Sequence, residues 1–165
     1  GVEPGEELVE KAWEWFRAEL RRAYTENPPV PLDGVEEALR TLRADGVKVG
    51  LTTGFSREIA DLIFSAMGWR IGDQFDTTAT GDEVAAGRPE PFMIQQVMAT
   101  TGVTDPAQVI SVGDTASDVV SAQRAGVTSV GVLTGHLDRG DFERLGADRV
   151  LDSAADLPTL LAGAH

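Results

Sequence analysis

The sequence predicts an α/β fold, a Rossmann-like parallel sheet flanked by helices, and three observations carry that expectation. Short apolar runs alternate with longer amphipathic stretches throughout residues 32–165, the pattern of parallel strands joined by right-handed helical crossovers. The run Val109-Ile110-Ser111-Val112-Gly113 reads as a strand covered on both faces, and Thr115-Ala116-Ser117-Asp118 opens a helix directly after it. Finally, Asn27-Pro28-Pro29-Val30-Pro31-Leu32 cannot continue a helix, because proline lacks the amide donor and stiffens the chain. It divides a leading helical segment, residues 1–31, from the rest.

Each element follows from local pattern. Leu8, Ala12, Trp15, Phe16, Leu20 and Tyr24 recur at helical spacing and predict an amphipathic helix over residues 5–24, its aromatics expected to pack. After the linker come a helix at 33–45, a strand at 47–52 that includes Lys48, and a helix at 56–67. A strand near 75–79 leads through a glycine-containing loop to a helix at 90–101. The strand at 108–112, a helix running to residue 125, the strand Ser129–Leu133 and short elements near 149–151 and 156–162 complete the chain.

Composition narrows the chemistry. With 165 residues and 42% apolar content, one domain with a real core is expected. A net charge of −13 repels nucleic-acid backbones and anionic lipid, so the expected partner is a small molecule, and an anionic one needs a local cation. The absence of cysteine excludes disulfides, thiolate metal sites and a cysteine nucleophile. His136 and His165 are the only histidines, so a zinc site would rest mostly on carboxylates. No apolar run approaches the ~20 residues of a membrane span and no signal peptide opens the chain, so a soluble, cytoplasmic protein is expected.

The chemistry-bearing positions fall at predicted strand ends. Asp114 and Asp118, four residues apart across a helix start, can lie on one side of the first turn beyond the sheet's carboxyl edge, where α/β sheets bind ligands. A hard cation such as Mg²⁺ would relieve their repulsion; alternatively, Asp114 caps the helix and Asp118 is a solvated first-turn acid. Thr52-Thr53-Gly54 ends another strand with hydroxyls and glycine-loosened amides suited to phosphate oxygens, or simply makes a turn. Arg88, held between Gly87 and Pro89, can fork onto phosphate or carboxylate oxygens. Asp76 is either an outer-shell acid on the same edge or merely the end of a strand.

In order and spacing, these segments resemble the haloacid dehalogenase superfamily of hydrolases and phosphotransferases. The strand ending in Thr52 resembles its second motif, Arg88 stands where the third keeps a basic residue, and Gly113-Asp114-Thr115-Ala116-Ser117-Asp118 resembles the acidic fourth. Leu51-Thr52-Thr53-Gly54-Phe55-Ser56-Arg57-Glu58 and Gly87-Arg88-Pro89-Glu90-Pro91-Phe92-Met93 are most similar to the phosphonatase-like hydrolases. The resemblance implies a nucleophilic aspartate, an aspartyl-phosphate intermediate and one Mg²⁺. Asp114 would hold the metal, with Asp118 directly or through water. Thr52, Thr53 and Gly54 would bind a phosphoryl oxygen, and Arg88 would balance negative charge.

Two departures qualify the expectation. The family's first motif, a strand ending in the nucleophile, is not found, and the chain opens on Gly1 within what resembles the helical cap. The expectation is therefore that residues 1–31 are a remnant of a cap and linker, and residues 32–165 a core lacking its first strand, with the nucleophile upstream. Phosphonatases also use a cap lysine for a Schiff base, and neither Lys11 nor Lys48 has the expected surroundings, so phosphate esters stand beside phosphonates as substrates. The remaining alternative is a catalytically inactive binding protein or fragment using the Trp13, Trp15 and Phe16 face. The first helix can pack on its own core or on a second copy as a homodimer.

Overall fold

The structure, a computed structural model, describes residues 5–163; Gly1 and His165 lie outside the described residues. Helix α1 (Glu6–Glu26) and the extended proline segment precede α2 (Val35–Ala44), β1 (Gly50–Thr53), α3 (Arg57–Met67), β2 (Thr77–Thr80) and α4 (Phe92–Thr101). Then follow β3 (Ile110–Gly113), α5 (Ala116–Ala125), β4 (Thr128–Val132), α6 (Arg139–Leu145), β5 (Arg149–Leu151) and α7 (Leu157–Ala162). All pairings between these strands are parallel, as the strand–helix alternation predicts. No described helix is long and apolar enough to cross a membrane.

The sheet is in two pieces, β1 with β2 and β3-β4-β5, so β1 and β3 each pair on one side only among the described residues. The pieces nevertheless share a core. Val49 and Leu51 from the first join Val112 and Leu151 from the second around Leu39, Leu42, Trp69, Phe75 and Leu157. Helix α4 packs on β1, β2 and α5. Two strand glycines permit the helices to approach: a Cβ at Gly50 would overlap Val97 of α4, and one at Gly131 would overlap the fully buried Phe142 of α6.

Several expectations change. Strands β1, β2 and β3 begin later than their apolar patterns suggest, while β4 begins one residue earlier, and Lys48 precedes β1, more than half exposed and paired with Asp76. Asp76 lies before β2, at the opposite end of the strand from the expected site edge. There its carboxylate accepts the Val49 N–H at 2.9 Å and faces Arg43 and Lys48. Burial raises this carboxyl's pKa, but the Val49 bond and the two cations together outweigh that and leave it below the usual range. The aromatic packing expected along α1 is met only in part: Leu8, Trp13, Trp15 and Phe16 are exposed, with Trp13 and Phe16 stacked on each other at 5.5 Å between ring centroids. Only the C-terminal half of α1 leans on the core: Tyr24 meets Phe55 edge-on at 6.4 Å, and Arg21 pairs with Glu58 of α3.

Candidate active site

Strand β3 delivers Asp114 and Asp118 to its carboxyl end, but their surroundings differ. Thr115, not Asp114, caps α5: its hydroxyl accepts the Asp118 N–H at 3.3 Å. Asp118 Oδ2 in return accepts the Thr115 N–H at 3.0 Å and the Thr115 hydroxyl at 2.6 Å, completing a capping box. Oδ1 of Asp118 accepts a hydrogen bond from the Arg88 guanidinium, and the whole residue is only 7% exposed. It is therefore a buried, committed carboxylate rather than a solvated acid. Asp114 is half-buried and has no hydrogen bond or ion pair among the described residues.

Glycines set this geometry. A Cβ at Gly113 would overlap the Asp118 carboxylate, so the strand end must lack a side chain for the capping box to close. Gly135, in the loop after β4, backs onto Asp114, where a Cβ would stand 2.6 Å from Oδ2. Sequence reasoning passed over Gly135; its only signal was a glycine shortly after a strand, which usually marks nothing more than a turn.

Strand β1 ends at Thr53, with Thr52 and Thr53 in register with Ala79 and Thr80. The Thr53 hydroxyl accepts the Phe55 N–H at 3.2 Å, folding the chain tightly around Gly54. A clamp from the loop after β2 holds this turn. Gly81 N–H donates to the Phe55 carbonyl at 3.1 Å, and a Cβ at Gly81 would lie 2.7 Å from the Gly54 oxygen. The Asp82 carboxylate accepts the Arg57 N–H at 3.0 Å, serving as the N-terminal cap that Ser56 does not provide for α3. Glu83 takes the Arg57 guanidinium with both oxygens, at 2.9 and 2.6 Å. The hydrogen bond from Arg57 pulls the Glu83 carboxyl down to about 2. Asp82 and Glu83 were not anticipated, since their partners lie more than twenty residues away in sequence.

Arg88 and Asp118 are thus in contact and Asp114 directly precedes Thr115, the partner of Asp118, in the chain, whereas no hydrogen bond or ion pair among the described residues joins Thr52 or Thr53 to this group. Among the described residues, no cluster of three or more acidic, histidine or cysteine side chains could hold a metal unaided. The donors present nonetheless fit Mg²⁺, which binds through one or two carboxylates and completes its shell with water and phosphate oxygens. Among the described residues Asp114 has no hydrogen-bond or ion-pair partner, and Asp118 has three of its acceptor sites taken.

The model of the haloacid dehalogenase-like hydrolases matches residues 4–132. Among curated relatives, a phosphonoacetaldehyde hydrolase of Bacteroides fragilis is 42% identical over 108 residues, 64% of this chain and 40% of its own length. One from Bacillus cereus is 35% identical over 140 residues, 85% of this chain and 52% of its own. A hydrolase from Pseudomonas syringae superposes with a TM-score of 0.82 at 27% identity, covering 99% of this chain and 72% of that one. A phosphonoacetaldehyde hydrolase-like protein from Oleispira antarctica gives 0.79 at 27% identity, covering 97% and 66%. The chain spans about half the length of the curated relatives it matches. With motif order, parallel topology and a family match over most of its length in agreement, this chain belongs to the haloacid dehalogenase-like hydrolases.

Proposed function

We propose that the chain is the core of an Mg²⁺-dependent hydrolase of small phosphorylated or phosphonylated metabolites. The observation that carries the reading is Asp114, a half-buried carboxylate with no hydrogen bond or ion pair among the described residues, directly preceding the Arg88-bound Thr115–Asp118 capping box at the carboxyl end of a parallel strand. In this reading Asp114 holds the metal and Asp118 reaches it through water. When bound, Mg²⁺ supplies charge neutralisation at the phosphoryl oxygens.

The chain's own residues do the rest. Thr52, Thr53 and the Gly54 amide bind a phosphoryl oxygen, and the clamp of Gly81, Asp82 and Glu83 keeps that turn in shape before substrate arrives. Arg88 offsets negative charge on the attacking and transferring groups, a need sharpened by the net charge of −13. In this reading the nucleophilic aspartate is supplied from outside residues 1–165, on a strand between the edges of β1 and β3 that have no partner among the described residues. Its carboxylate attacks phosphorus as the P–O or P–C bond breaks and the departing oxygen or carbon takes up a proton from solvent; water then attacks the phosphorus of the aspartyl phosphate, sheds a proton that balances the one taken up, and releases phosphate and the free carboxylate.

Neither lysine supports Schiff-base chemistry within this chain: Lys11 is exposed and bonded to Glu7 at 2.7 Å, and Lys48 pairs with Asp76 at the far end of the strand. Phosphonate cleavage through an imine would therefore take its lysine from outside these residues. The test is phosphate release by the full-length protein from an aryl phosphate, from metabolite phosphate esters and from phosphonoacetaldehyde, with and without chelator. Turnover abolished by chelator and restored by Mg²⁺ is expected; undiminished turnover in excess chelator would contradict the metal role.

A further inference from the structure

Arg88 is held at more than one point. Three side chains spaced three residues apart on α5, Asp118, Ser121 and Arg124, form a stripe that faces the segment carrying Arg88. Asp118 accepts from the Arg88 guanidinium, the Ser121 hydroxyl donates to the Glu90 carbonyl at 2.9 Å, and Arg124 pairs with the Glu90 carboxylate. Glu90 also turns its N–H back to the Gly87 carbonyl at 3.0 Å, closing a turn around Arg88 and Pro89. Ser121 is only 1% exposed. A helical serine or threonine commonly satisfies its hydroxyl on a carbonyl of its own helix, as Thr100 and Thr101 of α4 do with Gln96 and Val97. Ser121 instead reaches out of its helix to a loop carbonyl.

From this arrangement we infer that Ser121 and the Glu90–Arg124 pair position Arg88, registering its loop on α5 so that the guanidinium meets the transferring group without a search through rotamers. The inference rests on Arg88 being the phosphoryl partner and goes beyond it, because Ser121, Glu90 and Arg124 act only through the loop. A long arginine stem tied to Asp118 alone has its tip fixed and its base free. Pinning the backbone two residues further on fixes the base. Small misplacements of a charge-stabilising group are expensive in rate, and their mark is a fall in kcat with little change in KM.

The test uses the full-length protein with para-nitrophenyl phosphate as substrate, assayed well below each variant's thermal midpoint. Ser121→Ala should lower kcat about tenfold and KM by much less, and Arg124→Gln should act in the same direction less strongly. Both effects should vanish when Arg88 is already replaced by alanine, and the affinity of Ser121→Ala and Arg124→Gln for inorganic phosphate, read by calorimetry, should stay close to that of the unsubstituted protein. Equal losses from Ser121→Ala with and without Arg88 would make the serine merely structural and overturn the proposal. So would wild-type kcat in both Ser121→Ala and Arg124→Gln while Arg88→Ala is impaired. Wild-type turnover in Arg88→Ala itself would instead remove the underlying reading of the site, and the positioning role with it.

Discussion

Asp114 and Asp118 have the same side chain and stand in the same motif, yet the structure separates them by what they touch. Asp118 is satisfied by Arg88 and Thr115, whereas Asp114 forfeits nothing if it loses its charge. Asp114→Asn should therefore leave the thermal midpoint close to wild type while lowering kcat of the full-length enzyme by about 10²–10³-fold, the scale of losing one electrostatic anchor. A large fall in midpoint alongside the lost activity would show that Asp114 has a structural partner. Glu83 poses the complementary case, because its carboxyl is held at about 2 by Arg57 while an unfolded glutamate titrates near ~4.3. A depressed pKa contributes stability that is complete above the unfolded value and is lost as pH falls through the folded one. Urea unfolding between about pH 5 and pH 2 should show stability declining across that window, and Glu83→Gln should flatten the decline. An unchanged slope would remove the pair as its cause. Motif spacing singles out Asp114, Asp118 and Arg88 as candidates, but it does not tell the committed carboxylate from the one with no partner among the described residues. That distinction depends on an arginine thirty residues away in the chain.

Elements were legible where pattern is local and obscure where a partner strand decides. The capping box of α5 is written in Thr115 and Asp118, and the same device, Asp138 with Asp141, opens α6. Helix α6 was nevertheless missed, since its seven residues are too few to establish an apolar period. Asp76 was misread for a different reason. It and Asp148 each precede an outer strand and bond the backbone of its neighbour, at Val49 N–H (2.9 Å) and Ser129 N–H (2.8 Å). Each therefore ties together the amino ends of a strand pair, and no single-strand pattern reveals which end an acid occupies. Packing of α6 onto the sheet depends on Gly131, beside which Phe142 is wholly buried. Gly131→Ala should destabilise the protein by about 1–3 kcal/mol through overpacking. Pairing it with Phe142→Leu should recover part of the loss in chemical denaturation; full additivity of the two substitutions would mean that the glycine is not there to admit the ring.

At the scale of the molecule, the interrupted sheet dominates. β1 and β3 are each paired on one side only among the described residues while both contribute to a single core. A parallel strand leaves N–H and C=O groups unmet along an unpaired edge, and parallel sheets are ordinarily buried with their edges paired or covered. The proposed strand carrying the nucleophile would satisfy both edges at once and bring its aspartate to the carboxyl ends, where Thr53 and Asp114 stand. Amide hydrogen exchange separates this arrangement from a sheet that is self-sufficient in two pieces. In the full-length protein, amides within residues 50–53 and 110–113 should exchange far more slowly than in residues 1–165 alone, because the most protected amides open only with global unfolding. Strand β4, already flanked by β3 and β5, is the internal reference, and its protection should rise only by the gain in overall stability. If β1 and β3 gain no more than β4, the strand does not lie between them, and the nucleophile must reach Asp114 by another route.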